Sequence, residues 1–228
     1  MTGHKTPKYV NALLTEDAPF QYKEAYNHFR TNLRFSMAEK NFKKLLVTSA
    51  IAGEGKTTVA INTAQVLAEA GARVVLVDCD MRNPSVARRL GLQVNEEAGL
   101  AAVLSGQSTI ESALFHINQI NIDVLAGGAV PANPSELIST SRMQIILNTF
   151  DNYYDYVICD VPPVCVVTDA LVLSQYCDGG ILVVRQGVST RGQVRMAQKS
   201  LEQVKCEILG AVFNGAIMPQ AGHGYYGY

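Results

Sequence analysis

What this chain has little of narrows its function before any motif is read. It has no excess of one charge: 19 Lys and Arg against 20 Asp and Glu leave a formal net charge of −1, and the isoelectric point is near 6.4. No global field is present to draw in DNA or RNA, so no nucleic-acid partner is expected. No apolar stretch approaches the ~18 residues of a spanning helix, and no signal peptide is recognised. The chain is expected to be soluble, with any membrane role falling to a partner. Its five cysteines (Cys79, Cys159, Cys165, Cys177 and Cys206) are odd in number, scattered and without a CxxC pair. Lying in or beside apolar runs, they read as small buried hydrophobes in a reducing cytosol. His4, His28, His116 and His223 show no metal-ligand spacing.

Against those absences stands one strong local signal. Residues Ser49 to Thr58 read SAIAGEGKTT, an apolar strand running into a Gly-rich turn that ends in Gly-Lys-Thr. This is the form of a phosphate-binding P-loop. The strand Lys44–Ser49 delivers the chain to the turn. Gly53 and Gly55 let backbone N–H groups crowd a phosphate without a Cβ in the way. Lys56 can then reach the β- and γ-phosphates, and the Thr57 hydroxyl is placed for Mg²⁺. A helix over residues 58–70 follows, its N-terminal dipole favouring the anion. The usual pattern GxxxxGK(S/T) would begin at position 50, where this chain has Ala50. Alone, such a match is also an ordinary Gly-rich turn before a helix; the flanking strand and helix support the P-loop. Gly53, Glu54, Gly55, Lys56, Thr57 and Thr58 are therefore candidate ATP-binding residues.

The 228 residues fit one α/β domain with one sizeable core. Strands are expected at residues 44–49, 73–78, 122–126, 156–160, 180–184 and 208–213, and helices at 143–150, 168–176 and 191–203. Strands separated by helix-length segments imply βαβ units: a mostly parallel sheet flanked by helices on both faces, with ligands at the carboxyl ends of the strands. Tyr22, Tyr26, Phe29, Leu33 and Met37 follow a helical period with one buried face. The chain divides into an arm and interaction helix (1–43), a nucleotide-binding core (44–214) and a Gly- and Tyr-rich tail (215–228), not expected to order by itself.

Acidic groups complete the site. RVVLVDCD at residues 73–80 puts Asp78 and Asp80 at the carboxyl end of a buried strand, and YVICD puts Asp160 at another. If the first strand continues, alternation places Asp78 and Asp80 on one face. A strand-end Asp often caps the following turn. Two such ends downstream of a P-loop favour Mg²⁺ and phosphate chemistry, and one of Asp78 and Asp80 could accept a proton from an attacking hydroxyl. Asn214, ending the last strand, is either an adenine-reading amide or a turn former before Gly215.

SAIAGEGKTT, VVLVDCDMRNPSV and DYVICDVPP together resemble the P-loop, second acidic motif and Mg²⁺ motif of the bacterial tyrosine kinases of capsule and exopolysaccharide systems. EAYNHFRTNLRF (24–35), VVRQGVST (183–190), GAVFN (210–214) and the Tyr-rich tail also match, so the resemblance spans nearly the whole chain. It implies a cytoplasmic, ATP- and Mg²⁺-dependent kinase, brought to the inner face of the plasma membrane by a transmembrane activator of the polysaccharide co-polymerase type. It also implies a homo-oligomer that phosphorylates its own tail, opposed by a phosphotyrosine phosphatase. The implied catalytic residues are Lys56, Asp78 and Asp80, with Asp78 facing the phenol. The implied metal ligands are Thr57, Asp80 and Asp160, and the implied acceptors Tyr225, Tyr226 and Tyr228. The family's ExxRxxR contact falls on Glu24, Asn27 and Arg30, where Asn27 replaces an arginine and carries no charge.

A second function class stays open: a positioning or partition ATPase that works as a dimerisation switch. Those relatives carry an extra lysine early in the P-loop, where this chain has Ile51 and Ala52. They often end in a basic amphipathic helix, where this chain has Tyr and Gly. A third, weaker class is an assembly factor whose ATP site only controls oligomerisation.

Overall fold

The computed structural model describes residues 14–15, 17–95 and 98–216. The expected acceptors Tyr225, Tyr226 and Tyr228 lie outside the described residues. In chain order the elements begin with α1 (Phe20–Lys40), β1 (Lys44–Ser49), α2 (Lys56–Glu69), β2 (Val74–Asp78) and α3 (Val86–Leu90). Next come α4 (Leu100–Ser105), α5 (Ile110–Ala113), β3 (Leu114–Ile117), β4 (Ile122–Leu125), α6 (Pro134–Ile138) and α7 (Ser141–Tyr153). The remainder is β5 (Tyr156–Asp160), α8 (Asp169–Ser174), β6 (Gly179–Arg185), α9 (Arg191–Gln203) and β7 (Ile208–Asn214).

The strands form one sheet in the order β3-β4-β2-β5-β1-β6-β7. Every neighbouring pair is parallel except β3 with β4. Alternation along the buried strands sends side chains to two faces. Leu45, Val47, Val74 and Leu76 pack with α1 and α2 on one face. Leu46, Val75, Val77 and Cys159 pack with α4, α7, α8 and α9 on the other. A sheet covered on both sides is why these strands read as continuous apolar runs.

This is the expected architecture, with three differences. β3 is an added antiparallel strand, paired through Ile117↔Ile122 around a turn in which Asn121 has φ 51°. The helices α3 to α6 are four to six residues long, too short to carry a visible period. Cys79, Cys159 and Cys206 are buried as expected, whereas Cys165 and Cys177 are only partly covered. Among the described residues no helix is long and apolar enough to cross a membrane.

Candidate active site

The parallel strands β1, β2 and β5 end together, beneath a cleft of ≈ 580 Å³. Its walls include Gly53, Gly55, Lys56, Thr57 and Thr58 from the P-loop, Asp80 beyond β2, and Asn214 at the end of β7. The loop between β1 and α2 needs its two glycines, with φ of +85° at Gly53 and +90° at Gly55. At Gly55 a second constraint applies: a Cβ would sit 2.2 Å from Asn214 Nδ2. That amide donates to the Glu54 carbonyl oxygen at 2.8 Å, so Asn214 is a strut beneath the loop.

Glu54, expected among the ATP-binding residues, does not line the cleft with its side chain. Its carboxylate is fully buried and accepts from Ile51 N (3.0 Å), Arg185 N (3.2 Å) and Ser189 Oγ (2.5 Å). It ties the P-loop to the end of β6. Arg185 closes the same bracket by donating from its guanidinium to Gly53 O at 3.1 Å.

Lys56 stands between carboxylates, its Nζ 2.8 Å from Asp80 Oδ2 and 3.5 Å from Asp160 Oδ1. Burial pulls its pKa down, but the Asp160 and Asp80 charges more than offset this and hold it above the usual lysine value. Thr57 Oγ1 lies 3.0 Å from Ser85 Oγ.

Asp78 and Asp160 are register partners on adjacent strands and both are fully buried. Asp78 Oδ2 accepts from Ser85 N (2.9 Å) and Val86 N (3.0 Å), and Oδ1 accepts from Asp80 N (3.2 Å). Asp78 therefore does not face the cleft, contrary to the expectation that it meets the phenol. β2 ends at Asp78, and the chain then folds back so that the start of α3 caps onto this carboxylate. The same turn sends Cys79 into the core and leaves Asp80 as the acidic side chain on the cleft wall. Burial and the Asp160 charge push Asp78 up to about 7, against the backbone amides and Lys56.

Neither Asp160 oxygen accepts a hydrogen bond, though both are buried. Burial raises its pKa against the pull of Lys56. A buried anion with open lone pairs, beside a P-loop threonine and a second carboxylate, fits the chemistry of a hard divalent cation. Among the described residues no group of three His, Cys, Asp or Glu could hold an ion alone. A Mg²⁺ here would complete its shell with phosphate oxygens and water.

Two connections had no signal in the sequence. Arg82 donates to both oxygens of buried Asp169 at 2.8 and 3.1 Å and to Ser135 Oγ at 2.7 Å, bracing the Asp80 loop on α6 and α8. Arg89 donates to Thr58 Oγ1 at 3.1 Å. The expected subunit-contact residues bond within the chain: Asn27 donates to Glu24 at 3.0 Å, and Arg30 to Val66 O at 3.3 Å.

Comparison with known proteins agrees with this geometry. Residues 42–205, well over half the chain, match the family model described as AAA domain. The tyrosine-protein kinase YwqD of Bacillus subtilis is 38% identical over 205 residues, covering 90% of this chain and 86% of YwqD. The tyrosine-protein kinase CpsD of Streptococcus pneumoniae is 35% identical over 206 residues, covering 90% of this chain and 89% of CpsD. The chain spans 29% of the length of the tyrosine-protein kinase etk of Escherichia coli, with 34% identity. The solved kinase domain of that protein superposes with a TM-score of 0.83, covering 90% of this chain and 80% of the domain. The septum site-determining protein MinD of Pyrococcus horikoshii is more distant at 25% identity, a TM-score of 0.64 and coverage of 75% and 69%. Fold, cleft and relatives converge: this chain belongs to the bacterial tyrosine-protein kinases, built on a P-loop nucleotide-binding fold.

Proposed function

We propose that the chain transfers the γ-phosphoryl group of ATP to tyrosine hydroxyls, first among them Tyr225, Tyr226 and Tyr228 of its own tail, and that this transfer regulates capsular or exopolysaccharide synthesis. The single observation that carries the reading is the buried, unsatisfied Asp160 facing Lys56 beneath the P-loop. Thr57, Asp80 and Asp160 would hold Mg²⁺, which supplies neutralisation of charge building on the phosphates when bound. The glycine-turn amides cradle the phosphate oxygens, and Lys56, released from Asp80 toward them, orients the transferred group. As the tyrosine oxygen attacks the γ-phosphorus, the bond to the bridging oxygen breaks and ADP leaves. One oxygen of Asp80, the carboxylate on the cleft wall, takes the phenol proton while its other oxygen would stay toward the metal, and Asp78 supports it from below through the Asp80 amide.

A transmembrane co-polymerase partner would recruit the chain to the membrane, neighbouring subunits would exchange tails, and a phosphotyrosine phosphatase would reset them. The positioning-ATPase reading is weaker, because the kinases are both more identical and more fully aligned than MinD.

The test mixes two defective proteins in ATP and Mg²⁺, with a fragment of the activator added. One is Lys56→Met with an intact tail; the other is an active core whose three tail tyrosines are Phe. Phosphate on the tail of the Lys56→Met chain, read by mass spectrometry, is expected. No labelling there, while wild type labels normally, confines transfer to one chain. No labelling of wild type overturns the kinase reading.

A further inference from the structure

β7 is an edge strand: among the described residues it pairs with β6 on one side only. Its sequence, ILGAVFN, carries no charge over seven residues, and the Phe213 side chain is 61% exposed. A long, apolar, uncharged edge is one that natural proteins cover or blunt. Beside it runs a trough between β7 and α1. One section, ≈ 660 Å³, is walled by Tyr22, Tyr26 and Phe29 and by residues 211–216. A second, ≈ 200 Å³, shares Phe29, Asn32 and Ala211 with the first and continues past Gly210 to Leu209. A Cβ at Gly210 would meet nothing within 4 Å, so the trough is open at that point.

We propose that this trough is the resting place of the chain's own tail, Ile217–Tyr228, which folds back along β7 in its unphosphorylated form. Three observations select this occupant. The chain leaves the described fold at Ala216, itself part of the trough wall, so the tail starts at its mouth. Gly215 has φ +64°, a left-handed conformation suited to a reversal at that point. The tail, IMPQAGHGYYGY, has no Lys, Arg, Asp or Glu and leads with two large apolar residues, matching an apolar, uncharged groove. The lengths also agree. Seven strand residues span ~23 Å, and twelve extended residues reach ~40 Å. A tail antiparallel to β7 would cover the trough and carry its tyrosines beyond Leu209, at the end of the sheet opposite the cleft. The tail would then be sequestered from its own cleft until released. That consequence rests on the kinase reading; the docking does not.

Hydrogen–deuterium exchange on the full chain, dilute and without nucleotide, tests the docking apart from any activity. The outward-facing amides of β7 should exchange at least ~10-fold more slowly in wild type than in the double variant Ile217→Asp/Met218→Asp. A trough variant, Ala211→Arg at an exposed position, should speed exchange in the same way while leaving the strand intact. Equal exchange in all three proteins overturns the proposal. Protection that rises with protein concentration assigns the trough to a second copy, and protection surviving the tail substitutions assigns it to another segment; either result overturns it.

Discussion

Asp78 and Asp160 occupy equivalent places, facing each other in register at the ends of β2 and β5, yet they differ in what surrounds them. Asp78 is saturated by three backbone amides from the turn and helix that follow it. Among the described residues the Asp160 oxygens have no hydrogen-bond partner, and the Lys56 ammonium stands 3.5 Å away. The saturated carboxylate builds the floor. The unsatisfied one keeps the open lone pairs that a cation would take. Glu54 belongs with Asp78: three donors meet it, and it shapes the P-loop from below. Position on a strand thus does not separate these acids; hydrogen-bond saturation does.

The most severe way to break the comparison is Lys56→Met, which removes the cation shared by the acidic groups. Phosphate incorporation from ATP should fall by at least ~10³-fold, with tight ATP binding lost as well; turnover at the wild-type rate would remove Lys56 from the mechanism.

Asp160→Asn and Asp78→Ala should then fail in opposite ways. The Asp160 variant should lose ~10²-fold in transfer while its nucleotide-free form gains about 1 kcal/mol in urea unfolding, since a buried carboxylate without hydrogen bonds is gone. The Asp78 variant should lose about 2–4 kcal/mol of stability, because several buried amides are orphaned. Its transfer should decline through a displaced α3. Similar stability changes in the two variants would contradict the distinction.

The pH dependence sharpens the same contrast. Asp78 is raised from 3.8 to about 7, and Asp160 is raised as well. Between those values the folded chain keeps protons that the unfolded chain has released. The Asp78 contribution is therefore present in full below about pH 4 and is lost as pH climbs through about 7, and Asp160, raised by burial, acts in the same direction. Asp155 and Asp169, both lowered, act the opposite way and lose their contribution as pH falls. The difference between wild type and Asp160→Asn isolates the coupled pair, and that difference should widen from pH 4 to 7 as the wild type weakens. A flat difference would mean that the two carboxylates do not interact. The smallest effect is expected from Glu54→Gln, which turns one acceptor into a donor against Ile51 N at a cost of about 0.5–1.5 kcal/mol, seen as a few-fold rise in the KM for ATP.

Much of this was legible in the sequence. The apolar runs ending in Asp78 and Asp160, and the glycines before Lys56, placed the cleft and the parallel core because those signals are local. The distinction among the acids was not legible. Asp78 is satisfied by amides seven and eight residues on, in a five-residue helix without a period of its own. The inward turn of Glu54 depends on Arg185 and Ser189, more than 130 residues away in sequence. β3 escaped notice because four residues with Leu114, Phe115 and His116 incompletely buried carry no clear alternation. Asn214 sits between the two alternatives left open for it: it lines the cleft, but its amide donor is engaged by the loop itself.

The strand order has a consequence for how the chain is made. β1, which carries the P-loop, is flanked by β5 and β6, where Val47 meets Asp160 and Ile181. The two neighbours begin 112 and 135 residues after β1 does, a delay of roughly 6–27 s at ordinary elongation rates. Through that interval a nascent strand of buried residues has neither lateral partner, and the loop it presents has neither Glu54's anchors nor the Asn214 strut. Non-local pairing of this kind folds slowly. Nucleotide affinity should therefore arise late in synthesis, and the early nascent chain is the stage at which this protein most needs a chaperone.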